Sequence, residues 1–334
     1  MKKMAVILFL FAFLTFTLPF AGLLMQSTLP DLNTASSSVP ESSSSSASAP
    51  IKDEPVLVLD EVTGQINTLT MREYVIGAVM AEMPATYAVE AMKAQAVAAH
   101  TYALALKAAN ANDDTLQGAW FKASPSMKQG YMTEDSARLF WGDAFDTNYA
   151  KVSGAVDSVL NEVLLYDGAP ASTCYHAISN GQTEASENVW HQALPYLVSV
   201  DSTFDTTADN YEYLVTFTPQ QMTDALSRSL AGSDFSGSPS TWFGEITYTP
   251  AGYVAEIQAG GVGVKGTDFR SLLGLRSACF TLEYIDNVFA ITTRGYGHGV
   301  GLSQYGANTM ALTGSTYSEI LAHYYPGTQL SQTA

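Results

Sequence analysis

The stretch TMREYVIGAVMAEMPATYAVEAMKAQAVAAHTYALALKAA, Thr70–Ala109, carries two helical patterns separated by a proline. Thr70 is a good N-cap, and Glu73 three residues on completes a capping box. The first helix runs through YVIGAVMAEM and must stop near Pro84, which has no N–H to donate and restricts the residue before it. The second helix runs from about Ala88 to Ala109. Its many alanines let another element approach it closely.

Upstream, VLVLD and QINTL lie between Pro55 and Leu69 and are joined by Thr63-Gly64, the pattern of a hairpin. Residues 26–52 are rich in Ser, Ala and Pro, cannot bury a core, and read as a flexible tether. Before them, Lys2 and Lys3 precede an apolar run from Met4 to Met25 with no charge inside it. As a helix this run is about 33 Å long, enough to cross the hydrocarbon of a membrane. Residues 1–25 are therefore expected to be a single-pass signal-anchor, with the C-terminal domain extracytoplasmic. A cleaved signal peptide is the alternative, and it leaves the rest of the chain outside the cytoplasm as well.

Downstream, Thr133 to about Asn161 reads as helix, and Val163–Tyr166 and Ala171–Ile178 as strands around the Asp167-Gly168 turn. Tyr211–Phe217 alternates like a strand, and Pro219–Leu230 is an amphipathic helix. Phe243–Ala259 alternates again, Thr267–Leu275 suggests a short helix, and Phe280–Arg294 is strand-like. The chain then passes through RGYGHGVG into the helix SQYGANTMAL and a last helix from about Thr316 to Tyr325, with Thr316 and Glu319 as its capping box. Helices and strands mix without strict alternation, which predicts an α+β domain over residues 53–330, in two lobes around a substrate groove.

The charge is one-sided: 15 basic against 32 acidic residues, a net charge of −17. Such a surface repels nucleic acid, so DNA and RNA are excluded as partners. Cys174 and Cys279 are the two cysteines. One disulfide is possible outside the cytoplasm, and two buried thiols acting as small hydrophobes are the other reading.

Glu82 is the first candidate for chemistry. It lies in the last turn of its helix, where the partial negative charge of the helix end disfavours a carboxylate, and Met80 and Met83 flank it. Both effects raise a carboxyl pKa, as a general acid requires. An ordinary exposed glutamate is the alternative. Gly295, Gly297, Gly299 and Gly301 alternate around His298, a pattern that allows close approach of another molecule or serves the fold alone. No phosphate-binding or dinucleotide motif accompanies them. AISNGQTEASENVW, Ala177–Trp190, sets polar groups beside an aromatic ring, which suits sugars, or else forms a solvated loop. Neither H-E-x-x-H nor G-x-S-x-G occurs, and Cys174-Tyr175-His176 is too short a cluster for zinc.

Three of these segments resemble the stage II sporulation protein D family. The helical pair around EMP and KAQA resembles its first signature. SNGQTEASENVW is similar to its S-x-G-x-T-E segment. RGYGHGVGLSQYGANTMALTGSTYSEILAHYYPGTQL resembles its closing GWGHGVGMSQYGA and HYYPGT. The resemblance runs from about Val56 to Leu330 in the family's order.

It implies a lytic transglycosylase that splits the bond between N-acetylmuramic acid and N-acetylglucosamine in peptidoglycan and leaves a 1,6-anhydro end. The substrate's own 6-hydroxyl is the nucleophile, so one carboxyl suffices where most glycosidases need two. The family's catalytic glutamate falls on Glu82. Ser179, Asn180, Gly181, Thr183 and Glu184, with Trp190 at the end of the same segment, are expected to line or shape the groove. So are His298, Gln304 and Tyr305. His100 stands where the family usually has Arg, and is expected to contact substrate weakly or when protonated.

Some members carry a His/Cys zinc cluster after the KAQA helix. LQGAWFKASPSMKQGY has neither residue, so no metal is expected, and no cofactor is implied. The implied partners are glycan strands stripped of stem peptides, a cell-wall amidase that strips them, and other engulfment membrane proteins. A non-catalytic, wall-binding amidase enhancer is the alternative function, and a sugar-binding module alone is a third.

Overall fold

In the computed structural model, which describes residues 54–128, 130–190 and 192–333, Thr70 caps helix α1 (Met71–Glu82) as its capping box requires. Thr70 Oγ1 accepts from Glu73 N at 3.1 Å, and Glu73 Oε2 accepts from Thr70 N at 2.8 Å. A cap of this kind is worth about 1 kcal/mol. Tyr74 through Met80 are all buried, so α1 is a central helix rather than an amphipathic one. It ends where Met83 turns extended before Pro84.

Helix α2 (Val89–Ala109) follows and packs against α1. The expected hairpin is present as β1 (Val56–Asp60) and β2 (Ile66–Leu69), with β3 (Phe121–Ala123) added parallel to β1. The predicted helix from Thr133 to Asn161 is instead two helices, α3 (Glu134–Trp141) and α4 (Phe145–Asp157). Gly142, at φ 52° and ψ −127°, breaks the run.

Strands β4 (Glu162–Tyr166) and β5 (Ala169–Pro170) turn at Asp167-Gly168. The predicted strand from Ala171 to Ile178 shortens to β6 (Tyr175–His176), and the polar segment ends in the short α5 (Ser186–Trp190).

A second core follows. β7 (Glu212–Phe217), α6 (Pro219–Leu226), β8 (Phe243–Tyr248), β9 (Val254–Ala259), β10 (Val262–Lys265), α7 (Gly266–Leu273), β11 (Phe280–Ile285) and β12 (Val288–Arg294) surround it. They form two antiparallel sheets, ordered β10-β9-β8 and β11-β12-β7. Each long alternating stretch of sequence is thus a hairpin rather than one strand. Asp286 and Asn287 turn the second with φ of 50° and 64°, the left-handed pair that a tight two-residue hairpin loop demands. Phe269 stacks on Phe280 at 5.2 Å, and Phe243 meets Phe289 edge-on at 5.2 Å.

The chain then returns to the first core. β13 (Leu302–Ser303) pairs parallel with β6, and β14 (Gln329–Gln332) pairs antiparallel with β4. Between them α8 (Gln304–Leu312) and α9 (Tyr317–Tyr324), the latter with its Thr316/Glu319 capping box, pack on α2.

The class is α+β. Two main hydrophobic cores are present, yet Ile51–Ala334 forms one compact unit, so the two lobes expected from the sequence do not separate. The expected anchor and tether, residues 1–25 and 26–52, lie outside the described residues. Among the described residues no helix is long and apolar enough to cross a membrane.

Candidate active site around Glu82

Glu82 is the last residue of α1 and keeps part of its surface open to solvent. The protein packed around it raises its carboxyl to about 7, because burial penalises the charged form. One hydrogen bond works the other way: Gln304 Nε2 donates to Glu82 Oε2 at 3.3 Å. The same nitrogen donates to Gln95 Oε1, also at 3.3 Å. Gln95 comes from α2 and Gln304 opens α8, so three helices meet at one carboxyl. The charge of Glu82 also raises the phenols of Tyr74 and Tyr175, behind the larger effect of their own burial. Among the described residues no ion pair is made by Glu82.

Gln304 is placed by a polar brace beneath it. Ser303, the N-cap of α8, accepts from Gly306 N and donates its hydroxyl to Asp205 Oδ1 at 2.8 Å. Asp205 is fully buried and also takes Ser179 N at 2.7 Å and Ser202 Oγ at 3.0 Å on its other oxygen. Burial raises this carboxyl despite those bonds. At Gly306 the helix passes so close to α9 that a Cβ would lie 2.0 Å from the Tyr324 hydroxyl.

The loop after Glu82 is pinned from two sides. Lys151 of α4 donates to the carbonyls of Ala85 and Tyr87 at 2.8 and 2.6 Å, and Ala88 N donates to Asn308 Oδ1 of α8 at 2.8 Å. The Tyr87 phenol is raised to about 12 by burial, with Tyr305 and Asp205 adding to the rise. Tyr305 is half-buried, and its hydroxyl lies 3.3 Å from that of Thr207.

The structure therefore brings Gln304 to Glu82 directly. His298 and Trp190 meet each other instead, ring edge to ring at 5.0 Å, with Trp190 37% exposed. His298 accepts from Val300 N through Nδ1. Burial, then His176 and Arg270, hold it well below the usual histidine range, so it is neutral. The glycines around it, Gly295, Gly297, Gly299 and Gly301, all take positive φ, the region other residues avoid.

The polar segment spends its polarity inside the protein. Ser179, Thr183 and Glu184 are buried. Thr183 Oγ1 bonds Val198 O and Val200 N, and Glu184 takes Ala185 N, Asn188 Nδ2 and the Thr249 hydroxyl. Asn180 donates to Ala251 O, and Gly181 N donates to the Ser179 hydroxyl. These groups shape the backbone between β6 and α5 and are already occupied.

His100 lies apart from the Glu82 cluster. It is 5% exposed, faces the backbone of Leu160 and Glu162 at the start of β4, and shares no hydrogen bond with the Glu82 cluster. Burial lowers it to about 4, so it is neutral and has no free face for a polymer. Gln95, Tyr175 and Asp205 were not singled out from the sequence. A glutamine inside an alanine-rich helix is a signal for the first, while Asp205 carries none.

Both cysteines are free and buried, the second of the two readings left open. Among the described residues no group of three or more His, Cys, Asp or Glu could hold a metal ion.

Comparison with known proteins adds the family. The family model described as Stage II sporulation protein matches residues 60–166, which include Glu82 and Gln95. Stage II sporulation protein D of Bacillus subtilis (strain 168) is 38% identical over 268 residues, 80% of this chain and 76% of that protein. Its namesake in Bacillus amyloliquefaciens is 37% identical over 285 residues, 84% and 80% of the two chains. A protein named Amidase enhancer from Bacillus subtilis (strain 168) is 26% identical over 306 residues, 76% of this chain but 40% of its own length. With likeness at this level over most of both chains, the protein belongs to the stage II sporulation protein D family.

Proposed function

We propose that the chain is a lytic transglycosylase of peptidoglycan that uses Glu82 as both acid and base. The carrying observation is a partly open carboxyl, raised to about 7 by burial and held by one amide donor. Protonated Glu82 gives its proton to the glycosidic oxygen as the bond to muramic C1 breaks. The muramic 6-hydroxyl then closes on C1 and returns its proton to Glu82. No water is consumed, and the carboxyl ends as it began. A group near 7 holds both forms near neutrality, which suits an acid that must become a base.

On this reading the substrate is glycan already stripped of stem peptides. A cell-wall amidase precedes the enzyme, and the N-terminal apolar run holds it at the membrane among engulfment proteins. A second reading, a wall-binding amidase enhancer without catalysis of its own, is favoured by the relative of that name.

The full chain in detergent, incubated with peptide-free glycan beside Glu82→Gln, decides between them. Anhydro-muramic ends seen by mass spectrometry from the first and not the second support catalysis. No ends from either, with faster release of stem peptides from intact peptidoglycan by an added amidase, sinks it in favour of the enhancer.

A further inference from the structure

Gln95 is a polar residue in the apolar middle of α2, and it is fully buried. Its Oε1 accepts from Gln304 Nε2, but its own Nε2 is buried without a partner. An unpaired buried donor is costly. Gln304 Nε2 also donates to Glu82 Oε2. A donor at that point serves an ionised carboxylate and cannot accept the proton of a carboxylic acid.

The two ends of an amide are nearly equal in size, so turning both side chains over leaves the heavy atoms where they are. Gln304 then offers Oε1 to a protonated Glu82, and Gln95 offers Nε2 to that same oxygen. The unpaired position passes from the Gln95 N–H group to its carbonyl, and interiors tolerate an under-satisfied carbonyl better.

We propose that Gln95 is a positioning residue that holds the Gln304 amide in one of two orientations, donor toward ionised Glu82 or acceptor toward protonated Glu82. The inference rests on the reading of Glu82 as acid and then base, since only such a group needs both arrangements in one turnover. Gln95 touches no reacting atom and acts through Gln304.

The other ionisable groups around the carboxyl leave it alone to titrate. Tyr74 on α1 and Tyr175 on β6 are phenols raised by burial, so they stay protonated near neutrality. On α2, Lys93 is paired with Glu90. Lys151 of α4 is spent on two carbonyls, Asp205 reaches α8 only through Ser303, and α8 carries no charged side chain.

The test is nuclear magnetic resonance of the full chain, with the glutamate δ-carbon and glutamine side-chain amides labelled, from pH 5 to 9. Both the Gln95 and Gln304 amide signals should move with the midpoint of Glu82. Gln95→Met should lower that midpoint by roughly one unit, because it removes the N–H that is left unpaired only beside the ionised form, and should add nothing once Gln304 is also methionine. A Gln95 amide that stays still while Glu82 titrates in the native chain overturns the proposal, whatever the variants do. So does a full Gln95→Met shift in the Gln304→Met background. No glycan enters this measurement, so its failure and a failure of glycan cleavage are read separately.

Discussion

Gln304 Nε2 donates to Glu82 Oε2 across 3.3 Å, joining the first residue of α8 to the last residue of α1, 222 positions earlier. Everything expected of the carboxyl depends on the balance between this bond and the burial that opposes it.

The first expectation is a pH profile. If proton donation opens the reaction, kcat/KM falls as pH rises through about 7, where Glu82 loses its proton. Gln304→Met removes the bond that favours the charged form, so the fall moves to higher pH. Glu82→Gln lowers the rate by roughly a thousandfold. Release of anhydro ends across a pH series measures all three, and an unmoved profile in Gln304→Met contradicts the balance described.

Stability should carry the same signature. The Glu82 carboxyl is raised from 4.5 to about 7, so the folded chain holds this proton more tightly than the unfolded one. The stabilisation is complete below about 4.5 and is lost as pH rises through about 7. At pH 8, Glu82→Gln should therefore be more stable than the parent, by on the order of 2 kcal/mol, with the difference closing toward pH 4. Urea unfolding at the two pH values reads it directly.

His100 titrates in the opposite sense. Its folded value of about 4 lies below the ordinary 6.5, so its stabilisation is present above 6.5 and disappears as pH falls toward 4. His100→Gln should make acid unfolding shallower by about one proton, as followed by circular dichroism. It should leave the KM for glycan within about twofold. A large rise in KM with unchanged stability would give His100 a role in binding the proposed substrate.

Gly306→Ala tests the brace under Gln304. Its methyl group would collide with the hydroxyl of Tyr324 and crowd that of Ser202. The expected cost is about 2 kcal/mol of stability, with a fall in glycan cleavage because α8 shifts. Thermal unfolding beside the cleavage assay shows both, and full activity would mean that the start of α8 tolerates displacement.

Local signals in the sequence located most of the elements. Thr70 with Glu73, Thr316 with Glu319, and Pro84 each set a helix end through contacts a few residues apart, and the helices begin and stop there. Alternation located β7, but it did not show where Phe243–Ala259 and Phe280–Arg294 fold back on themselves. The second of those turns rests on two residues with positive φ, a property of Asp286-Asn287 that apolar periodicity does not register.

At the candidate site the three family segments pointed to the carboxyl and to Gln304. They did not distinguish side chains open to an incoming molecule from those whose polar groups are already occupied inside the protein. Ser179, Thr183 and Glu184 are of the second kind, because a sequence does not show which polar groups already have partners. Asp205 was illegible for a related reason: its donors come from segments on both sides of it, far apart in the chain.

The 222-residue gap between Glu82 and Gln304 also bears on how the protein is made. A chain still emerging, with α1 and α2 formed but α8 and α9 not yet delivered, has neither the packing nor the amide that tune this carboxyl. Its glutamate would then be an ordinary acid, ionised near neutrality and useless as a proton donor. Synthesis must come close to completion before the carboxyl is tuned, so a nascent or truncated product lacks the raised acid that the proposed chemistry requires.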